Sequence, residues 1–217
     1  MKRLRGEIDG GSLSRRVRAY VGLGANVGEP EATLTRAVAA LAALPGVRLR
    51  GVSRLYATRP VGVTDQSDFR NAVVALDVPA GPDPATGAVA LLVALKGIER
   101  AFGRQDRGRW GPRELDLDLL VFGRSLLSVP RPAEARSLDA EASPRKATRL
   151  LEVPHPEAAN RLFVLAPLND LAPRLVPPGW RETVESARRR QERLEGSDVV
   201  RPIGRWSAAE RAWVTGR

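Results

Sequence analysis

The sequence predicts an α+β fold, a ferredoxin-like split βαβ sandwich in which a mostly antiparallel sheet carries helices packed on it. Three observations predict it. Residues 115–120 alternate strictly, with Leu115, Leu117 and Leu119 against Asp116 and Asp118, which is the period of a strand with one buried face. Two apolar stripes recur at helical spacing, Leu34/Val38/Leu41 and Ala88/Leu91/Leu92/Leu95/Ile98. The elements then run strand, helix, strand, strand, helix, strand, followed by helical material, which is the order of two interlocked βαβ units.

The first strand is expected at Arg18–Leu23, running into the glycine turn Gly24-Ala25-Asn26-Val27-Gly28. Its glycines fall at 22, 24 and 28, one residue out of step with a dinucleotide fingerprint, and no acidic residue closes a βαβ unit, so that fingerprint is rejected. Gly24 and Gly28 are read instead as turn residues with φ > 0. Pro30 suits a first helical turn, and the helix spans 30–43 until Pro45-Gly46 stops it. Val47–Tyr56 reads as a second strand and Phe69–Val78 as a third, with Ala72, Val74 and Leu76 on one face and Phe69, Asn71 and Val73 on the other. Between them, the Pro- and Gly-containing stretch 56–68 is a loop. Asp83-Pro84 opens the second helix, which ends at Gly103. Leu115–Phe122 is the fourth strand, closed by Gly123. Two helices on one face of this sheet are expected to leave the other face free for a ligand.

Beyond residue 129 the pattern weakens. Residues 130–148 mix prolines, alanines and charges without period and read as an inserted loop. Residues 152–156 form a rigid turn, 160–165 a short helix stopped before Pro167, and 181–194 a charged helix. Residues 195–217 read as a tail carrying Trp206 and Trp213. Residues 1–17 form a charged extension, 18–180 a single domain, and 181–217 the C-terminal helix and tail.

Composition excludes several classes. The chain of 217 residues has no cysteine, so a disulfide framework and a thiolate metal site are both ruled out. No run of 18 apolar residues is present, and the basic N-terminus lacks an apolar core, which together predict a cytoplasmic protein with no membrane partner. A formal net charge of +10 suits nucleic acid but equally any polyanion, including a nucleoside triphosphate. A basic nucleic-acid-binding module on the same sheet is therefore the alternative. Against it, the strands lack the aromatic platform of an RNA-binding sheet and the arginines are scattered, so no nucleic-acid partner is expected.

The chemistry concentrates in Arg109-Trp110-Gly111-Pro112-Arg113-Glu114-Leu115-Asp116-Leu117-Asp118. Two carboxylates two apart on a strand point the same way, with Cα atoms roughly 6.5–7 Å apart, and can hold hard cations from one side. Mg²⁺ commonly takes one or two protein carboxylates and fills its shell with water and phosphate oxygens. Arg109 and Arg113 can fork onto phosphate. An Asp-x-Asp pair is also what the solvated face of any amphipathic strand looks like. Phe69 and Phe163 fit core positions as well as a ring slot, Asn71 fits a turn cap, and His155, the chain's single histidine, fits an incidental place in a Pro-rich turn.

Four separated pieces then converge: the strand and glycine turn at 20–28, the loop at 58–71, the motif at 109–120, and Val153–Leu168 with Pro154-His155 and Asn160-Arg161. Together they closely resemble the 6-hydroxymethyl-7,8-dihydropterin pyrophosphokinase family of folate biosynthesis, over residues 18–129 and 149–180. The resemblance implies transfer of the β,γ-pyrophosphoryl group of ATP to the pterin hydroxymethyl oxygen, with AMP released and two Mg²⁺ taking part. It implies Asp116 and Asp118 as metal ligands and catalytic residues, with Arg104 and Arg113 beside them. It places Thr58, Val61, Phe69, Asn71, Trp110 and Phe163 around the pterin. Lys96, Ile98, Glu99, Arg109, Arg113, His155 and Arg161 fall around ATP. The chain departs from the usual pattern at Ala25, Arg59, Phe69 and Lys96, and the 104–108 loop is one residue short, which bears on Arg107. A monomer is expected, acting on two small-molecule substrates without a fused second enzyme.

Overall fold

The computed structural model describes residues 15–59, 66–104, 111–132 and 148–214. The sequence-predicted positions Val61, Arg107, Arg109 and Trp110, the first fourteen residues and most of the 130–148 insertion lie outside these.

The central sheet is built from β1 (Arg16–Ala25), β2 (Arg48–Val52), β3 (Leu55–Thr58), β4 (Phe69–Pro79) and β5 (Asp116–Phe122). Its order is β5-β1-β4-β3, with β2 alongside β3 on the same edge of β4. Every pairing is antiparallel. Helix α1 (Pro30–Ala42) carries the chain from β1 across β4 to β2, and α2 (Pro84–Ala101) carries it from β4 across β1 to β5. Each crossover thus skips one strand, and the result is an α+β protein with a mostly antiparallel sheet.

Local chemistry accounts for these elements. Pro30 occupies the first turn of α1, where its missing N–H costs nothing. Asp83 caps α2 by accepting from the Ala85 and Thr86 amides, with Pro84 following. The expected stripes are the buried ones: Leu34, Ala37, Val38 and Leu41 of α1 and Ala88, Leu91 and Leu95 of α2 meet Ala19, Val21 and Leu23 of β1, Ala72, Val74 and Leu76 of β4, and Leu117 and Leu119 of β5. Gly87 lets α2 approach the strand end closely, because a Cβ there would lie 2.1 Å from the Ala80 carbonyl oxygen. Gly87→Ala is therefore expected to cost about 3 kcal/mol as α2 is pushed off the sheet, a fall in Tm of about 10 °C by thermal unfolding.

Several expectations are corrected. The strand expected over 47–56 is two, because Ser53 interrupts it. The Ser53 hydroxyl accepts from the Val73 amide, and its own N–H donates to the Val73 carbonyl, so the ladder passes through a side chain. The helix expected to stop before Pro167 runs through it as α3 (Leu162–Leu171). Pro167 removes one bond inside the helix, while Leu162, Leu165, Ala166, Pro167 and Leu168 are all buried. The insertion at 130–148 is flanked by a hairpin, β6 (Leu127–Pro130) against β7 (Arg149–Val153).

The expected tail contains β8 (Val200–Ser207), which extends the main sheet beyond β3, and β9 (Ala212–Val214), paired with β8. Trp206 and Trp213 meet edge to face at 4.8 Å between ring centroids and pack on the main core, and the Trp213 indole donates to the Ser53 carbonyl. Nor is the second sheet face left free. Helices α3 and α4 (Val184–Glu195) cover Tyr20, Val73, Ala75, Leu120 and Val121. The α3 seat is held by Asp170, which takes hydrogen bonds from the Tyr56 hydroxyl and the Arg54 guanidinium. Burial and the adjacent carboxylate push the Tyr56 phenol far above its ordinary range. What stays uncovered is one end of that face, at the C-terminal end of β1.

Candidate active site

Across this open end three strands present side chains in register. Gly24 of β1 lies opposite Asn71 of β4 on one side and Asp116 of β5 on the other, and Gly22 lies opposite Val73 and Asp118. Strand spacing puts the Asn71 and Asp116 backbones about 10 Å apart, with only glycine between them. The two glycines make a floor with no side chains, and Asn71, Asp116, Asp118, Phe163 and Val164 help line the cleft above it. Gly24 sits within β1, not in a turn: a Cβ there would come within 3.2 Å of Asn71 Oδ1. Of these two glycines it is Gly28 that takes positive φ, at 64°.

One wall is polar and fixed. Asn71 is buried and its amide donates to the buried Thr58 hydroxyl at 3.0 Å, leaving its oxygen directed along the floor. Phe69 lies two residues earlier on the same face of β4, half-buried. Phe163 projects from the first turn of α3 and carries the Arg161 guanidinium 5.8 Å from its ring centroid.

The opposite wall is charged. Glu99 of α2 is 2% exposed. Its Oε1 accepts from the Leu117 amide at 2.7 Å and from Lys96 Nζ at 2.7 Å, while Lys96 donates to the Leu117 carbonyl at 3.2 Å. Both backbone groups of the residue between the two aspartates are thereby satisfied by α2 side chains on the outer edge of β5. The Arg104 Nη1 stands 2.5 Å from Glu99 and 2.6 Å from Asp116, contacts of charge rather than directed hydrogen bonds. Burial raises the Asp118 carboxyl, but His155, Lys96, Arg161 and Arg104 outweigh it and hold the group below the usual carboxylate range. His155 is placed by its own amide donating to the Leu120 carbonyl.

The structure therefore brings together Thr58, Asn71 and Phe163 on one side, and Lys96, Glu99, Arg104, Asp116, Asp118, His155 and Arg161 on the other. Ile98 is half-buried against the main core. Arg113 stands at the approach to β5, where its backbone exchanges hydrogen bonds with Asn26. Asn26 is a residue that sequence reasoning left without a role. It is 6% exposed, and its amide also donates to Gln66 Oε1 and the Ser67 carbonyl, tying together the two chain segments that flank the cleft. Its signal is a polar residue between Gly24 and Gly28 that ends up buried.

Among the described residues no group of three or more His, Asp, Glu or Cys side chains converges on one point. The donors on offer are two carboxylates on one face, one of them 35% exposed. That set suits a hard divalent cation completed by water and phosphate oxygens, and does not suit an all-protein cage.

Comparison with known proteins points the same way. The family model for 7,8-dihydro-6-hydroxymethylpterin-pyrophosphokinase matches residues 20–173. The chain is 42% identical over 168 residues to a 2-amino-4-hydroxy-6-hydroxymethyldihydropteridine pyrophosphokinase of Pseudomonas aeruginosa, covering 77% of this chain and 88% of that one. It is 40% identical over 170 residues to the enzyme of that name from Methylorubrum extorquens, covering 78% and 90%. The Bacillus subtilis enzyme is 37% identical over 153 residues, covering 70% and 77%. Among solved structures, a Plasmodium falciparum HPPK-DHPS with pterin and p-hydroxybenzoate superposes with TM-score 0.61 at 14% identity. It matches 94% of this chain, which spans about half (49%) of that longer one. With the family model matching residues 20–173 and a relative 42% identical over most of both chains, the chain belongs to the 7,8-dihydro-6-hydroxymethylpterin-pyrophosphokinase family.

Proposed function

We infer that the protein transfers pyrophosphate from ATP to 6-hydroxymethyl-7,8-dihydropterin in folate biosynthesis, giving the pterin diphosphate and AMP. The observation that carries this is the row Asn71–Gly24–Asp116, which faces a fixed amide and an acidic pair across a bare floor. A flat heterocycle lying on the glycines would have its amide edge read by Asn71, braced by Thr58, and its face against Phe163. Its hydroxymethyl arm would then point toward β5.

We propose Asp116 and Asp118 as the ligands of two Mg²⁺ ions. When bound, such ions neutralise charge on phosphoryl oxygens and orient the transferring group. The chain's own residues do the positioning. Lys96 and Glu99 lock the Leu117 backbone, so both carboxylates keep one orientation. Arg161 and His155 stand beside Asp118, where they can donate to phosphate. Arg104, paired with Glu99 and Asp116, is placed to move onto charge that develops on the bridging oxygens. Phosphoryl-type transfer depends mostly on positioning and electrostatics, and no nucleophilic side chain is required.

The ferredoxin-like class is proposed on the two strand-skipping crossovers. The catalytic domain is assigned to residues 18–180 with an insertion at 130–148, flanked by an extension at 1–17 and a C-terminal segment at 181–217. Among the described residues no helix is long and apolar enough to cross a membrane, and a cytoplasmic monomer is proposed. Incubation with ATP, Mg²⁺ and the hydroxymethyl dihydropterin should yield AMP and the pterin diphosphate in equal amounts. Release of ADP or of inorganic phosphate would contradict the assignment.

A further inference from the structure

The family model ends at residue 173, yet the chain beyond it touches the pterin side of the cleft at several points. Helix α3, whose first turn carries Phe163, begins at Arg161, a residue that makes no side-chain cap. A cationic N-cap also opposes the helix dipole. The missing acceptor comes from the end of α4: Glu195 Oε1 accepts from the Leu162 amide at 3.2 Å. Gln191, one turn earlier and buried, donates to the same oxygen at 2.7 Å and so aims it. Arg190 donates to the Ala159 carbonyl at 2.8 Å, fixing the turn that enters Arg161.

The next residues continue along the same wall. Val200 pairs with Thr58, the hydroxyl partner of Asn71. Val200 shares a core with Tyr56, Leu162 and Ala166, against which Phe163 and Val199 pack. Arg201 reaches Asp68 at 3.6 Å, just before Phe69.

We propose that the segment 184–201 is a positioning element for the pterin slot, with Glu195, aimed by Gln191, capping α3 and so setting where Phe163 stands. This rests on the assignment of Phe163, Asn71 and Thr58 to the pterin. None of these contacts is to α2 or β5; on the nucleotide wall they reach only Arg161, at the N-cap of α3 beyond the turn that Arg190 holds. A fault in the C-terminal segment should therefore affect the pterin more than the nucleotide.

The test is steady-state kinetics on the full chain, with pterin and ATP varied separately. Loss of a capping acceptor shifts a local equilibrium by about fivefold. Glu195→Ala is expected to raise the pterin KM about five- to tenfold, with a smaller rise in the ATP KM through Arg161 and kcat changed less than about twofold. Glu195→Gln keeps an oxygen acceptor and should recover most of the loss. If Glu195→Ala does not fold, Gln191→Ala, which removes the aiming donor and an acceptor of Arg190, is read the same way with a smaller shift. An unchanged pterin KM, or equal rises for both substrates, would overturn the proposal. Phe163→Ala separates the two levels: if it binds pterin as tightly as the unaltered protein, the slot assignment itself is wrong, whatever Glu195 does.

Discussion

Asp118→Asn is expected to lower turnover by about three orders of magnitude or more while the protein stays folded. Its unfolding temperature should be somewhat lower, because the ionised carboxylate stabilises the fold among its cations. The side chain sits at the convergence of His155, Lys96, Arg161 and Arg104, which hold it ionised despite its burial. An amide of the same shape cannot supply the negative charge that a divalent cation needs. The several kcal/mol of charge stabilisation contributed by a bound metal would be lost with it. The fold should survive, because the β5 backbone is held by the β1 ladder and by Glu99. The check is the rate of AMP release at saturating substrates, paired with a thermal melt. Activity within tenfold of the parent would remove Asp118 from the metal site.

Glu99→Leu is expected to destabilise the protein by about 3–5 kcal/mol, the range for breaking a buried charge pair by removing one partner. Glu99 is almost wholly enclosed and meets Lys96, Arg104 and the Leu117 amide at once. A leucine would leave both cations short of their counter-charge and the amide of the residue between the two aspartates without its acceptor. Glu99→Gln should cost much less, since its carbonyl can still accept from Leu117. Urea denaturation of the three proteins would show this order in their midpoints. Equal stability of Leu and Gln variants would mean that the carboxylate does not organise β5.

Glu99 also shows how far the sequence was legible. The resemblance implies a place for it and for Lys96 around the nucleotide, and the structure sets both against the Leu117 backbone. Their role in closing the backbone edge of β5 could not be read, because it depends on α2 lying beside a strand edge that no other strand occupies. The strict Leu/Asp alternation made β5 and its two faces plain, and the stripes on α1 and α2 identified the main core. Strand β8 was invisible for a physical reason. Its apolar residues Val200, Ile203 and Trp206 recur at three, not two, because the register against β3 slips between Leu55 and Tyr56 and Pro202 and Gly204 interrupt the pattern. Pro167 misled in the opposite direction, since a local helix breaker was overridden by a fully buried helix face.

The cleft shows the same division. Asp116, Asp118 and Asn71 stood out as residue types in a pattern. The glycine floor did not, because Gly22 and Gly24 matter only once antiparallel pairing sets them between Asn71 and the acids. Asn26 escaped for a similar reason: its partners, Gln66, Ser67 and Arg113, are 40 or more residues away in the chain.

The central claim is that Asp116 and Asp118 hold the cations that carry the triphosphate. Crystals grown with Mn²⁺, a non-hydrolysable ATP analogue and the pterin test it most directly through the anomalous signal. Two peaks within about 2.0–2.3 Å of the Asp116 and Asp118 carboxylate oxygens, bridging to the phosphates, are predicted. Manganese bound to the phosphates alone, with both carboxylates still paired to Arg104 and its neighbours, would contradict it.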